Sequence, residues 1–219
     1  MSPPRVESRE IEILDADEIA DTLRKLKGHP LYSIASIALA TGTRRGEVLA
    51  LRLADVDFEA AAVRVERSLE ETRDGLRFKV PKTAHGRRTV SLPPSAVTLL
   101  REQRRKVIEA RLALGLGKPT DDTLLLANAD GWPMSPNQLS WRWRSACKAL
   151  GLPRVSFHAL RHTHASAPIA AGLDVVVVSR RLGHANPTIT LSTYSHLFKK
   201  DDGAAAGAIE AAMRTRREQ

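Results

Sequence analysis

The stretch FHALRHTHAS, residues 157–166, places three histidines and one arginine within ten residues. From this stretch onward, apolar spacing and glycine stops predict four successive helices, at about 157–171, 174–182, 187–198 and 203–217. His158 and Arg161 lie one turn apart at the start of the first of these helices. The carboxyl-terminal part of the chain is therefore expected to be all helical, with both side chains near a helix amino terminus.

The His158/Arg161 pair has little meaning by itself. With 7 His and 25 Arg in 219 residues, about 0.8 His-x-x-Arg pairs arise from composition alone. A second pair, His85/Arg88, falls in a predicted hairpin loop, and we interpret it as accidental. The pair needs support from other motifs.

A metal site is disfavoured at this stretch. His158, His162 and His164 could in principle approach one ion, since zinc is often held by histidines at such spacing. However, no HExxH pattern and no cysteine pair is present, and residues 157–173 contain no carboxylate. We expect no metal ligands and no cofactor here.

Three helices are predicted in the amino-terminal part, after a linker over residues 1–14. Asp15 and Glu18 have the spacing of a capping box, which starts a helix running to about Leu26. A second helix is expected at about 31–40 and a third from Arg44 to Leu51. The motif TGTRRGE, residues 41–47, therefore lies at a helix amino terminus.

The middle of the chain changes to a period of two. Alternating apolar residues predict strands at about 63–69, 76–80 and 89–92, separated by turn residues at 74–75 and 81–86. The simplest arrangement is a three-stranded antiparallel meander. Lys82 then lies in the second hairpin loop, away from the core.

Two more helices and one short strand complete the predicted fold. Helices are expected from Pro93-Pro94-Ser95 to about Leu114 and over 136–150, with a short buried strand at 124–127 between them. Cys147 occupies an apolar position of the second helix and is assigned to the core. The fold class is α+β, mostly helical with one small sheet.

Composition narrows the class of partner. A 219-residue chain that is 42% apolar and 27% charged is long enough for one domain with a real core. Its net charge of +9 comes mainly from arginine, which favours phosphate as a ligand. The single cysteine excludes an internal disulfide, and no apolar run reaches the roughly 20 residues of a membrane span. We expect a soluble cytoplasmic protein.

Several enzyme classes lack their motifs in this chain. Neither GxxxxGK[ST] nor GxGxxG occurs, which argues against P-loop and dinucleotide-binding folds. The Gly-x-Ser-x-Gly pattern of serine hydrolases is also missing.

Five motifs occur in a fixed order along the chain: TGTRRGE (41–47), PKTAHGRR (81–88), FHALRHTHAS (157–166), RRLGH (180–184) and LSTYSH (191–196). In this ordered set the chain closely resembles the tyrosine recombinase, or phage integrase, family over about residues 10–200. The resemblance implies the family's catalytic domain, with the DNA breaking-rejoining enzyme fold.

The resemblance also implies site residues and their roles. Carried over motif by motif, the catalytic positions are Arg44, Lys82, His158, Arg161, His184 and Tyr194. The arginines would clamp a DNA phosphate and the histidines would donate further hydrogen bonds. Lys82 would protonate the leaving 5′ oxygen, and Tyr194 would form a 3′-phosphotyrosine without metal or ATP. Glu47 would orient neighbouring residues, with His162 and Lys79 as further supporting candidates.

Two features depart from the family pattern. Only 43 residues precede Arg44, too few for the family's helical core-binding domain, so we expect that domain to be absent. The chain is then a linker over 1–14, a catalytic domain over 15–200 and a helical tail over 201–219. Pro168 falls inside a predicted helix, where proline costs about 3 kcal/mol and is expected to kink or break it.

The family resemblance further implies partners. These are double-stranded DNA at attachment or recombination sites, a homo-tetramer on that DNA, and accessory DNA-bending proteins near the nucleoid. The tail over 201–219 would dock on a neighbouring subunit, or alternatively pack on its own domain. A second hypothesis is a DNA-binding remnant of a mobile element that no longer recombines. Type IB topoisomerase chemistry is a third, because it uses similar groups.

Overall fold

A computed structural model describes residues 11–81, 86–128, 130–198 and 202–214. Within these residues the helices are α1 (Ala16–Leu26), α2 (Tyr32–Thr41), α3 (Arg45–Leu49), α4 (Pro94–Ala113), α5 (Pro136–Leu150), α6 (Ala159–Ala170), α7 (Val175–Leu182), α8 (Pro187–Tyr194) and α9 (Asp202–Arg214). The strands are β1 (Val56–Asp57), β2 (Ala62–Val65), β3 (Ser68–Thr72), β4 (Gly75–Lys79) and β5 (Arg88–Ser91). The predicted class, mostly helical with small antiparallel sheets, is confirmed.

Helix ends follow the capping chemistry of the sequence. The Asp15 carboxylate accepts from the Glu18 backbone N–H at 2.8 Å, and the Glu18 carboxylate accepts from the Asp15 N–H at 3.0 Å. This reciprocal pair is the predicted capping box of α1. At the far end of α5, Gly151 takes the left-handed conformation with φ 59°, which ends the helix as glycine commonly does.

The sheet differs from the predicted single meander. The run at 63–69 divides into β2 and β3, and only β2 joins a three-stranded sheet, in the order β1-β2-β5. β3 pairs instead with β4 in a separate hairpin, closed at Thr72 and Gly75. The division falls at Glu66 and Arg67, where the Arg67 guanidinium reaches back to the buried Asp55 carboxylate at 2.7 Å. This ion pair lies where the chain leaves the β2 ladder.

The predicted strand at 124–127 is also wrong. Leu124 and Ala127 make only isolated bridges, to Arg52 and Pro133 respectively. The chain there is buried at Leu125 and Leu126, so the apolar run reflects burial and not a strand.

Buried apolar side chains form two clusters. The larger one joins α2, α3, the three-stranded sheet and α5, where Trp143 meets Phe157 edge-on at 5.5 Å between ring centroids. Cys147 is buried in it, as predicted. The smaller one consists of Ala165, Ile169, Val178, Leu182 and Tyr194. Helix α6 contributes to both clusters, so it links them.

Helix α6 runs through Pro168 without the predicted break. Proline has no N–H to donate, but Pro168 lies in the last turn of the helix, and the following bonds from Ala171 to Ala167 and from Leu173 to Pro168 are intact. The proline therefore removes a single intrahelical hydrogen bond, downstream of Arg161.

The segment before α1 packs on the domain. Leu14, the last residue of the predicted linker, is buried, and its N–H donates to the Thr163 hydroxyl of α6 at 3.0 Å. None of the described helices is long and apolar enough to span a bilayer.

Candidate active site

Arg44 is held at the start of α3 by its own helix. Its backbone N–H and its Nη1 both donate to the Glu47 carboxylate, each at 2.8 Å. Gly42, just upstream, ends α2 in the left-handed conformation with φ 64°. The side chain remains 41% exposed, although its Nη2 also donates to the Gly183 carbonyl oxygen at 3.4 Å, so part of the guanidinium stays open to a ligand.

Glu47 is the buried centre of the site's charges. The second cation on its carboxylate is Arg88 of β5, whose Nη2 donates to Oε2 at 2.8 Å and whose side chain is only 6% exposed. Burial raises the pKa of Glu47, but the hydrogen bond and charge of Arg88, together with Arg44, lower it to about 2. Glu47 is therefore ionised at neutral pH and orients two arginines, the geometry expected of its supporting role.

Arg161 is fixed by backbone carbonyls. Its Nη1 donates to the Gly42 oxygen at 2.6 Å and its Nη2 to the Leu182 oxygen at 2.8 Å, and the residue is buried. Burial, followed by the positive charge of Arg44, lowers its pKa to about 9. His158 precedes α6, and desolvation followed by the charges of Arg161 and Arg44 lowers its pKa.

The carboxyl-terminal helices supply His184 and Tyr194. His184 follows the α7 cap at Gly183, and its Nδ1 lies 2.8 Å from the Thr190 hydroxyl. Burial, then the nearby arginines, lowers the His184 pKa to about 4. Tyr194 ends α8 and is 1% exposed, with its hydroxyl 2.7 Å from His162 Nδ1. Burial raises the Tyr194 pKa to about 12, against the opposing charge of Arg161.

These side chains meet in one open pocket. Its lining includes Arg44, His158, Arg161, His162, His184 and Tyr194. Five of the six predicted catalytic positions are thus brought together, with Glu47 directly beneath Arg44. The sixth, Lys82, lies outside the described residues. Lys79, a predicted supporting candidate, instead pairs with Glu70 on the β3–β4 hairpin at 3.2 Å.

Arg88 was interpreted from sequence as an accidental loop residue, and that interpretation is wrong. It lies in β5, two residues before the buried Val90 and hence on the same face of the strand. An arginine on a buried strand face needs a carboxylate partner. The position of Arg88 in the strand pattern could therefore have indicated a buried ion pair. His85, the other half of that pair, lies outside the described residues.

Sequence reasoning also missed a buried histidine–arginine pair behind the pocket. His164 Nδ1 lies 2.7 Å from the Leu39 carbonyl oxygen, and Arg181 Nε donates to His164 Nε2 at 2.9 Å. Burial lowers the His164 pKa to about 4, so the ring is neutral and can accept from Arg181. The Arg181 carbonyl in turn accepts from Arg88 Nε at 2.8 Å. This chain of contacts supports Arg88, and through it Glu47.

The charge balance of the pocket favours an anion. Arg44 and Arg88 pair with Glu47, while Arg161, bound to the Gly42 and Leu182 carbonyl oxygens, adds a third guanidinium to the same region. The surplus positive charge is directed at the opening beside Tyr194. A phosphodiester, with one negative charge and two non-bridging oxygens, matches this arrangement.

Comparison with known proteins gives one matching family and several relatives. The phage integrase family matches residues 11–201. A protein described as tyrosine recombinase XerC-like, from Caldanaerobacter subterraneus subsp. tengcongensis, is 32% identical over 202 residues, 87% of this chain and 52% of that protein. The putative prophage phiRv2 integrase of Mycobacterium tuberculosis is 27% identical over 195 residues, 88% of this chain and 49% of its own. The chain spans about half the length of these relatives.

Solved structures share the fold. The Tn1549 transposon integrase, in complex with transposon right end DNA, superposes with a TM-score of 0.77 at 24% identity, covering 94% of this chain and 67% of that one. The catalytic domain of bacteriophage HP1 integrase gives a TM-score of 0.59 at 20% identity, covering 90% and 95%. The ordered motifs, the matched fold and the family match over residues 11–201 establish that this chain belongs to the phage integrase family of tyrosine recombinases.

Proposed function

We propose that the chain is the catalytic domain of a site-specific DNA recombinase that cleaves and rejoins strands through Tyr194. The observation that carries the proposal is the convergence of Arg44, Arg161 and Tyr194 on one pocket from α3, α6 and α8. A phenol beside two oriented guanidiniums suits attack on a phosphodiester. The integrase and recombinase relatives support the same reaction class.

Each side chain has a definite task in this reaction. Arg44 and Arg161 bind the non-bridging oxygens and offset the charge that develops on them. His158 and His184 have lowered pKa values, so they donate N–H groups as neutral rings. When the Thr190 hydroxyl donates to His184 Nδ1, which lies 2.8 Å away, the Nε2–H is left for the phosphate.

The covalent step exchanges one ester for another. The Tyr194 oxygen bonds to phosphorus, the bond from phosphorus to the 5′ oxygen breaks, and the leaving oxygen takes a proton, for which Lys82 is the proposed acid. The 3′-phosphotyrosine conserves the ester, so rejoining requires no ATP. Metal is unnecessary because the arginines carry the role of the cation.

The wider assembly is proposed on the same basis. Double-stranded DNA at attachment sites is the substrate, and four copies act together on it in the nucleoid, with accessory proteins that bend the DNA. Helix α9 leaves Ile209 and Met213 exposed, and we propose that this helix docks on a neighbouring copy. Deletion of residues 202–219 should abolish oligomers on DNA, measured by native gel; unchanged oligomers would overturn the docking role.

Covalent trapping tests the reaction. The 219-residue chain and its Tyr194→Phe variant are incubated in EDTA with nicked duplexes that tile the DNA on both sides of the gene. A protein–DNA adduct on a denaturing gel is expected for the parent chain and not for the variant. The variant removes one hydroxyl and keeps the buried ring, so it should fold like the parent chain. Matching circular dichroism spectra of the two chains serve as the control for folding.

The other outcomes are informative. Binding in a gel shift without any adduct would favour the DNA-binding, recombination-deficient alternative. An adduct that also forms with Tyr194→Phe would move the nucleophile elsewhere. If the chain neither binds the duplexes nor forms an adduct with them, the proposal that DNA is its substrate is overturned.

A further inference from the structure

We propose that His162 is a further catalytic residue, the base that takes the proton of Tyr194 as the tyrosine attacks phosphorus. The inference rests on the proposed function and concerns a step to which the resemblance assigns no residue. It is carried by one contact, 2.7 Å between His162 Nδ1 and the Tyr194 hydroxyl oxygen.

The two side chains are held in place by different elements. His162 follows Arg161 on α6, while Tyr194 closes α8 and packs among the apolar side chains of the smaller cluster. Their rings meet at 62° with centroids 5.7 Å apart, so the contact runs through the edge of the imidazole to the hydroxyl. Tyr194 is 1% exposed, and His162 Nδ1 is the partner that the structure gives its hydroxyl.

The protonation states fit an acceptor. Burial, followed by the charges of His158 and Arg161, lowers the His162 pKa to about 4. The ring is therefore neutral at pH 7, and with its hydrogen on Nε2 the Nδ1 lone pair faces the phenol. The Tyr194 pKa is raised to about 12, so the tyrosine keeps its proton while no substrate is bound.

Bound phosphate changes this balance in the required direction. A phosphodiester beside Arg161 places a negative charge against one of the cations that lower the His162 pKa, and so makes the imidazole a stronger base. As the bond from Oη to phosphorus forms, the phenol proton becomes more acidic. Proton transfer is thus coupled to attack and does not precede it.

The step balances as follows. The Tyr194 proton moves to His162 Nδ1, the bond from Oη to phosphorus forms, and the bond from phosphorus to the 5′ oxygen breaks with protonation of that oxygen by the proposed acid. On rejoining, His162 returns its proton to the departing tyrosine oxygen. His162 also lines a second, larger cavity with Glu12, Arg144, Lys148 and Arg154.

The test uses a substitution that retains the hydrogen bond without the basicity. In His162→Asn, an amide replaces the Nδ1 edge of the ring. We expect a roughly 10²–10⁴-fold slower adduct on the nicked duplexes that the parent chain cleaves, the usual size of general-base catalysis. His158→Asn is the matched control. It removes the imidazole one turn away, at the residue that precedes α6, and leaves His162 in place as the base.

A more acidic phenol at position 194 separates a role of His162 in proton transfer from a role in positioning. Incorporation of 3-fluorotyrosine there lowers the pKa of the phenol, so the attack depends less on a base. It should recover at least about tenfold of the rate lost in His162→Asn, and recover none of the loss in His158→Asn. Substrates with sulfur in place of the leaving 5′ oxygen should rescue Lys82→Ala but not His162→Asn.

The outcomes distinguish this inference from the function on which it rests. No adduct from the parent chain on any duplex overturns the recombinase proposal, and this step with it. An adduct at unchanged rate in His162→Asn, or a loss that fluorotyrosine leaves untouched, overturns the role of His162 alone. The chain without DNA gives an independent reading: ¹⁵N chemical shifts must show His162 with its hydrogen on Nε2, and a hydrogen on Nδ1 would contradict the proposal.

Discussion

The arginine cluster and the β3–β4 hairpin are built in opposite ways. In the cluster, Glu47 and Arg88 are paired with side chains 5% and 6% exposed. In the hairpin, all five residues of β4 are exposed, and the ion pairs of Glu70 with Arg77 and Lys79 lie in solvent. Arg44, proposed to bind phosphate, is therefore oriented by a buried carboxylate, whereas β4, which precedes Lys82 in the chain, adds only exposed ion pairs to its ladder with β3.

This difference teaches which part of the site depends on the fold. The hairpin joins the domain chiefly through β3, where Leu69 is buried and its carbonyl approaches Gly46 so closely that a Cβ there would lie 2.4 Å away. Arg44, Arg88 and Arg161 donate instead to Glu47 and to backbone carbonyls outside the hairpin. Loss of the exposed ion pairs of the hairpin should leave the buried Glu47–Arg88 pair nearly unchanged, whereas disruption of β3 at Leu69 would reach Gly46, the neighbour of Glu47.

Removal of the buried carboxylate should cause the largest effect. Glu47→Ala leaves Arg88 and Arg44 without their anion, which costs about 3–5 kcal/mol when one partner of a buried pair is lost. Urea denaturation should show this loss in the free energy of unfolding, and adduct formation should fall with it. A loss below about 1 kcal/mol would mean that solvent reaches the pair.

Acid should destabilise the region around the site histidines before it affects the hairpin. Burial lowers the pKa values of His164, His162 and His184 to about 4. The unfolded chain then binds more protons than the folded one, so stability is full above pH 6.5 and falls toward pH 4. For the well-buried His164 alone this amounts to roughly 2–3 kcal/mol. Melting temperature measured from pH 7 to pH 4.5 should fall steadily; a flat curve would contradict these values.

The close packing of α2 on α6 offers a smaller test. A Cβ on Gly42, at φ 64°, would lie 2.4 Å from His164 Cδ2. Gly42→Ala should cost roughly 1–3 kcal/mol through strain and overpacking. Gly151→Ala is the matched control, since it has φ 59° with nothing within 4 Å. Equal losses in the two variants, measured by thermal denaturation, would show that the backbone angle alone matters.

The hairpin should give the smallest effect. Glu70→Gln removes the charge that Arg77 and Lys79 share, but the pairs are exposed, so stability should change by less than about 0.5 kcal/mol. The Glu70 pKa is lowered by these two cations, and added salt should weaken that shift. A loss as large as that of Glu47→Ala would abolish the distinction between the two regions.

Most of the fold could be read from local chemistry. The capping box at Asp15, the limits of α5 and the start of α3 at Arg44 depend on residues within a few positions, and the structure has them as predicted. The grouping of the site residues was implied by the family resemblance that the ordered motifs carry. Long-range partners could not be predicted in this way. The Arg67–Asp55 pair that splits the strands and the Arg88–Glu47 pair under the site join residues 12 and 41 positions apart.

The two-cluster packing bears on the mobility of Tyr194, the proposed nucleophile. Tyr194 is anchored in the smaller cluster, which α7 and α8 share with the end of α6, and not in the main core. Regions with few buried apolar contacts open locally without global unfolding. The amides of α7 and α8 should thus exchange with deuterium sooner than those of α2 and α5. We expect withdrawal of Tyr194 from the pocket to require local opening of α7 and α8, including loss of the bonds that α7 carbonyls accept from Arg161 and Arg88.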